Sequence, residues 1–201
     1  MSPTILLMFS GGLDSTGAFW KLIENQEKIH VHHMNLKNIE NRYLAENIAT
    51  KNIIEYMKNI ADFSYSESTH EYESYNNKFI WDSDLSSFMA GNICSFIPSI
   101  KNIALGLTKS DLNGSVNDRI ARGNKILEAL CSATKIYPIK HLTKKEVWDF
   151  LPENLRKLSW SCRNPIYQEN EIISCRKCKT CYEMDKVGIT LQQIHLNQNH
   201  S

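Results

Sequence analysis

The sequence lacks an excess of charge of either sign. Its 23 Lys and Arg stand against 22 Asp and Glu, a formal net charge of +1. Duplex nucleic acid is held largely by basic side chains that neutralise phosphates, so this balance offers no broad footprint for it and points to small-molecule ligands. Long apolar runs are also missing. The run Ile5-Leu6-Leu7-Met8-Phe9 has no basic leader and no small-residue cleavage site, and it is far too short for a bilayer. A soluble, cytoplasmic protein is expected. Internal repeats and low-complexity segments are absent as well, which excludes a solenoid. At 201 residues the chain fits one domain with a small appendage.

Six cysteines are present, and in a reducing compartment closely spaced ones are metal ligands or reactive thiols more often than disulfides. Cys94 and Cys131 stand alone and read as small buried hydrophobes. Cys162, Cys175, Cys178 and Cys181 form a C-x12-C-x2-C-x2-C pattern. Two C-x2-C steps put three thiolates on a short knuckle, and the fourth sulfur completes a tetrahedral set suited to Zn²⁺. An iron–sulfur cluster uses the same ligands, and spacing alone leaves it open. Four thiolates on a divalent ion leave a charge of about −2, which Arg163, Arg176, Lys177 and Lys179 are placed to offset.

Short apolar runs alternate with helical patterns through the first two thirds of the chain. Thr4 to Phe9, Ile29 to Met34, Asp62 to Ser66, Ile103 to Leu107 and Lys135 to Ile139 are predicted strands. Asp14 to Glu24, residues 39–59, Leu85 to Phe96, Asp118 to Ala133 and Lys144 to Phe150 are predicted helices, the last with a capping box at Thr143 and Glu146. Ser66 to Asp84 reads as a long polar and aromatic loop or lid, and Thr108 to Gly114 as a loop. Strand alternating with helix predicts an α/β fold with a doubly wound parallel sheet. The α/β domain is expected over 1–152 and a small zinc-binding region over 153–201.

Between the first strand and the first helix lies Ser10-Gly11-Gly12-Leu13-Asp14-Ser15-Thr16. Glycines allow a tight turn and close backbone approach to an anion, hydroxyls add donors, and the helix start presents free N–H groups. The set is neither a Walker loop nor a G-x-G-x-x-G fingerprint. Its bland alternative is a Gly-Gly turn with Asp14 as N-cap. His32, His33, His70 and His141 share no ligand spacing and suit surface or capping roles, while Lys144 and Lys145 suit a solvated helix face.

This loop resembles the pyrophosphate-binding loop of the N-type (PP-loop) ATP pyrophosphatases. Taken with the four cysteines, it resembles the 7-cyano-7-deazaguanine synthase family, with a Rossmann-like, adenine nucleotide alpha hydrolase-like core. Ile103 to Asp111 sits where that family has a strand and an acidic loop, and Asp118-Arg119 resembles its substrate loop. Tyr137 to Trp148 resembles its Pro-Leu…Leu-Thr-Lys-x-Glu-Ile segment, and Ser161-Cys162 with Cys175 to Cys181 match its Ser-Cys and Cys-Gly-Lys-Cys-x-x-Cys elements. There are departures. Asn35 to Asn38, followed by Glu40, Arg42 and Tyr43, replaces Tyr-Gly-Gln-Arg/Lys-His, and Met89-Ala90-Gly91-Asn92 replaces Pro-Gly-Arg-Asn without its Arg.

The resemblance implies an ATP-dependent ligase that converts 7-carboxy-7-deazaguanine and ammonia to the nitrile through an adenylate and an amide, for queuosine or deazaguanine modification of nucleic acid. It implies ATP and Mg²⁺ at Phe9, Ser10, Gly11, Gly12, Leu13, Asp14, Ser15 and Thr16, and Zn²⁺ on the four cysteines. Asp14, Ser15 and Asn92 are the expected catalytic residues; Asp111, Asp118 and Arg119 are expected at the substrate, with a solvated loop charge as the alternative for each of these three. Partners are the small molecules alone, with no membrane and no direct nucleic acid, and a homodimer stays open. Alternatives are a related enzyme that stops at the amide or passes a deazaguanine to another acceptor, a tRNA-thiolating enzyme, or a non-catalytic zinc and nucleotide module.

Overall fold

The computed structural model describes residues 2–73, 81–111, 114–189 and 192–196, with backbone only at 114–116. The first strand, β1 (Ile5–Phe9), is buried at all five positions. An unbroken apolar strand is what a parallel sheet covered on both faces demands. Helix α1 (Leu13–Glu24) follows, then β2 (Ile29–Lys37), α2 (Tyr43–Lys58) and β3 (Ser64–Glu71). Next come α3 (Asp82–Phe96), β4 (Asn102–Ala104), a 3-10 turn at Lys109–Asp111, α4 (Gly114–Glu128), β5 (Thr134–Ile136) and α5 (Lys144–Phe150). The five strands form one sheet in the order β3-β2-β1-β4-β5, every pair parallel.

Alternation along β1 sorts the two sides of the sheet. Ile5, Leu7 and Phe9 pack with Val31, Phe19 and Leu22 of α1, Ile53 and Met57 of α2 and Val147 of α5. Phe9 meets Phe19 edge-on at 5.5 Å between ring centroids. Leu6 and Met8 instead join Met34 and Leu36 against Ala90 and Cys94 of α3 and Leu127 of α4. Helices therefore flank the sheet on both sides.

The C-terminal part comprises α6 (Glu153–Leu158), β6 (Ile166–Tyr167), β7 (Glu171–Ile173), α7 (Lys179–Lys186) and β8 (Gln193–His195), with the three strands in an antiparallel sheet β6-β7-β8. It does not stand apart. Trp160, Cys162, Ile172 and Cys181 pack on Ala45 and Ala49 of α2, and Met184 and Ile189 enter the main core.

Several predicted boundaries are corrected. The third strand starts at Ser64 and runs to Glu71 through residues expected to be loop, because its sequence SYSESTHE has no apolar alternation to betray it. β2 continues to Lys37, and β4 stops at Ala104. Helix α4 starts at Gly114, ahead of the expected Asp118. Residues 74–80 of the expected lid and 112–113 of the following loop lie outside the described residues.

Candidate active site

β1 is central, and the chain leaves it for β2 on one side while β4 lies on the other. Such a reversal of strand order opens a crevice at the carboxyl ends of the strands, where loops diverge. A cavity of about 820 Å³ occupies that place. Phe9, Ser10, Gly12, Leu13, Asp14 and Ser15 line it from the first loop, and Leu105, Gly106 and Leu107 line it from the loop after β4.

The loop is shaped by its glycines and serines. Gly11 has φ +71°, and a Cβ there would lie 2.7 Å from Thr50 Oγ1. Gly106 approaches so closely that a Cβ would meet the carbonyl carbon of Asp14 at 2.5 Å. Gly12 is the N-cap of α1, in extended conformation. Its carbonyl accepts from Thr16 N–H at 2.9 Å and from Ser15 Oγ at 3.0 Å. Ser10 Oγ and Ser15 Oγ are 3.1 Å apart. His33 donates from Nδ1 to the Phe9 carbonyl at 2.9 Å, fixing the end of β1. Two bonds come from the far end of the chain: Trp160 N–H donates to the Gly11 carbonyl at 2.8 Å, and Leu13 N–H donates to Ser161 Oγ at 3.1 Å.

Asp14 is therefore not the N-cap but a residue of the first helical turn. Its Oδ2 accepts from Lys144 Nζ at 2.7 Å, while its Oδ1 is buried without a partner. Lys144 also lies 3.7 Å from Asp111, whose Oδ2 accepts from Thr108 N–H and Oγ1. Burial pushes the Asp14 carboxyl above its ordinary range although Lys144 opposes this. Burial works against the charge of Lys144 too, but Asp14 and Asp111 more than offset it and hold the ammonium. The expectation of a solvated Lys144 is thus corrected, whereas Lys145 is exposed and pairs with Asp149 within its own helix. A cation at a helix N-terminus opposes the helix dipole, and that mismatch is the signal by which Lys144 could have been found.

The other expected residues divide. Asp111 and Arg119 line the cavity, but Asp118 does not and is exposed. Ser83, Ser86, Ser87 and Ala90 of α3 line it, while Asn92 does not; two residues past Ala90, its side chain bonds back to the Phe88 carbonyl at 2.8 Å. Gly11 and Thr16 support the loop without lining the cavity. Thr16 is buried and its hydroxyl has no partner.

Sequence reasoning missed several lining groups. Arg42 binds Glu40 at 2.7 Å, Glu46 at 2.6 Å and Asp82. Lys135 donates to Ser87 Oγ at 3.1 Å, and burial lowers its pKa. His32 and His33 are buried, not superficial, and His32 lines the cavity.

The four cysteines do converge. Their sulfurs lie within 4.8 Å of one another, as a tetrahedral metal site requires. Backbone N–H groups of Cys175, Lys177, Cys178 and Cys181 point at cysteine sulfurs from 3.2 to 3.5 Å, a pattern that stabilises thiolates. Burial disfavours the Cys175 thiolate, yet the N–H groups of Lys177 and Cys178 bring its pKa down to about 7. Of the four bases expected to offset the cluster, Arg163 is bonded to Glu40 at 2.8 Å and Lys179 lies 3.7 Å from Glu183. The cluster also shapes the cavity, because Trp160, Ser161 and Arg163 flank Cys162 and, with Lys179, Thr180 and Glu183 of α7, form one wall.

Compared with known protein families and with curated proteins, the chain matches no family model and no curated protein.

Proposed function

We propose that the protein is an ATP-dependent carbon–nitrogen ligase with a doubly wound, adenine nucleotide alpha hydrolase-like core, which activates a carboxylate on a deazaguanine-type base and passes it to ammonia. The observation that carries this reading is the placing of the Ser10 to Thr16 loop, with its left-handed Gly11 and its serine hydroxyls, at the head of α1 and the mouth of the cavity. That is where backbone N–H groups and a helix dipole serve the phosphates of a nucleotide. The reaction class comes from the resemblance of this loop, with the cysteine cluster, to the 7-cyano-7-deazaguanine synthase family.

In this reading the substrate carboxylate attacks the α-phosphate of ATP, and pyrophosphate leaves. Ser10, Ser15 and the loop amides steady the phosphates as charge moves to the leaving group. Lys144, held charged between Asp14 and Asp111, adds a fixed positive group beside them. The orphaned Asp14 Oδ1 and the nearby Asp111 carboxylate fit a divalent ion, and Mg²⁺ bound there would supply neutralisation of phosphate charge. Arg119 and Lys135 serve the acceptor side, where an anionic base needs cationic partners. Zn²⁺ on four thiolates is a closed site and would contribute folding energy.

A second reading keeps the activation and changes the end point to the amide or to transfer onto another acceptor. It is favoured by Asn92 facing away from the cavity on a helix that lacks the family's Arg. The test for both is purified protein with ATP, Mg²⁺, ammonium and 7-carboxy-7-deazaguanine, followed by pyrophosphate assay and mass spectrometry. Nitrile is the expected product. Amide alone selects the second reading, and absence of pyrophosphate with any carboxylate overturns both.

A further inference from the structure

Three serine hydroxyls line the cavity around the first loop, those of Ser10, Ser15 and Ser161, and each has a single hydrogen to donate. Ser15 spends its hydrogen on the Gly12 carbonyl, which can only accept, at 3.0 Å. Its oxygen accepts from Ser10 N–H at 3.4 Å, and the 3.1 Å contact with Ser10 Oγ is then a donation from Ser10. Both hydroxyls hold the turn, and each must leave a bond before it can donate to a ligand.

Ser161 differs. Its Oγ accepts from Leu13 N–H at 3.1 Å, and among the described residues no acceptor takes its hydrogen. The residue is half-buried, and a Cβ on Gly12 would lie 3.9 Å from its oxygen, so the hydroxyl stands beside the glycine turn. Leu13 is the first residue of α1, and its N–H is one of those that would face an anion at the helix start. Ser161 takes that N–H and passes its polarity on, because a hydroxyl that accepts a hydrogen bond donates a stronger one.

Its place is fixed from several sides. Ser161 N–H donates to Gln192 Oε1 at 2.9 Å, and Gln192, itself buried, donates from Nε2 to Ser159 Oγ at 3.1 Å. On one side Trp160 N–H is bonded to the Gly11 carbonyl, and on the other Cys162 is drawn into the sulfur cluster. A donor held in this way is in position before a ligand arrives.

We propose that Ser161 is a phosphate-binding residue, donating its hydroxyl hydrogen to an oxygen of a polyphosphate chain seated on the Ser10 to Thr16 loop. This role rests on the nucleotide reading of that loop. With one lone pair already engaged by Leu13 and its hydrogen unspent, the hydroxyl suits a charged oxygen that only accepts. The cysteine-rich end of the chain thus supplies the nucleotide site with a ligand as well as a wall.

The full chain and its Ser161 variants are compared by calorimetric titration with inorganic pyrophosphate and with ATP, each with Mg²⁺. Ser161→Ala should bind both about 10-fold more weakly, less than the full worth of a hydrogen bond to a charged group because the freed Leu13 N–H returns part of it. Ser161→Thr keeps the hydroxyl and should stay close to wild type. Ser161→Asp keeps an acceptor for Leu13 N–H at a helix start, so its melting temperature should hold, yet it has no hydrogen to give and should weaken pyrophosphate binding more than about 100-fold. That split between stability and binding is not expected of a residue that only braces the loop. Affinity that is unchanged in Ser161→Ala, or retained in Ser161→Asp, overturns the role of Ser161 and leaves the nucleotide reading intact. A wild type that binds neither ligand overturns both. If binding follows the expected pattern but no carboxylate yields pyrophosphate, the ligase reading fails and Ser161 stands.

Discussion

Replacing Lys144 with Met should convert a paired carboxylate into an isolated one. The Lys144 to Asp14 contact is 2.7 Å, with side-chain exposures of 9% and 25%. Removing one partner of a buried ion pair costs roughly 3–5 kcal/mol. Asp14 is a quarter exposed, so water recovers part of this and the expected loss at neutral pH is about 2–3 kcal/mol. With a urea dependence of about 2 kcal/mol per molar, the unfolding midpoint falls by about 1 M.

The pH dependence makes the prediction specific. Lys144→Met removes the influence that most lowers the Asp14 pKa and leaves burial and Asp111, both of which raise it. The folded carboxyl then holds its proton above the ordinary value of about 4. A raised folded pKa gives stability that is present below the unfolded pKa and lost as pH rises through the folded one. The variant should therefore approach wild type near pH 4 and show its full deficit at pH 7.5. Adding Asp14→Asn removes the titration and should return part of the loss, with a coupling of roughly 1–3 kcal/mol. Urea unfolding of the four proteins at both pH values measures this. A deficit that is the same at both, or no coupling at all, would refute a buried Asp14 to Lys144 pair.

Gly11→Ala forces a side chain into a left-handed backbone, at about 1–2 kcal/mol, and against Thr50 Oγ1 at 2.7 Å. Adding Thr50→Ala should recover only part of the lost melting temperature, and full recovery would mean that the backbone is unstrained. His32 has its pKa pushed down to about 4, chiefly by burial and then by His30, from an ordinary 6.5. The unfolded chain takes up that proton first, so stability should fall by up to about 3 kcal/mol as pH drops from 6.5 to 4. His32→Gln should flatten the slope of urea midpoint against pH, and parallel slopes would contradict it. Metal analysis should give one zinc per chain on the four cysteines, and Cys178→Ser should lose the metal and much of the thermal stability together. Iron with visible absorbance would replace zinc in this assignment.

Some of this was legible in advance for physical reasons. β1 reads plainly because both its faces are covered, and the capping box at Thr143 and Glu146 marks the start of α5 as predicted. The convergence of four sulfurs followed from their spacing. What stayed hidden was buried polarity. β3 carries serines where a hydrophobic pattern would have announced it, because the histidines of β2 satisfy them by side-chain hydrogen bonds. Lys144 looked like surface because a lysine's burial is set by carboxylates distant in sequence, here Asp14 and Asp111. Arg163 was assigned to the sulfurs, yet Glu40, far away in the chain, holds it instead. Asn92 was placed by motif position, and a helix turns its residues by about 100° each, so two positions beyond Ala90 lies on the opposite side.

The bonds from Trp160 to Gly11 and from Leu13 to Ser161 join positions 148 residues or more apart. During synthesis the first loop leaves the ribosome long before the residues that clasp it. β1, α1 and β2 can assemble early, but β4 and β5 join the other side of β1 later, and the clasp closes last. Contacts of such sequence separation slow folding, since loop entropy is lost before the contact rewards it. A nascent chain released before Ser161 would carry the Ser10 to Thr16 loop without its fixed shape, which ties the order of the start of the chain to completion of its cysteine-rich end.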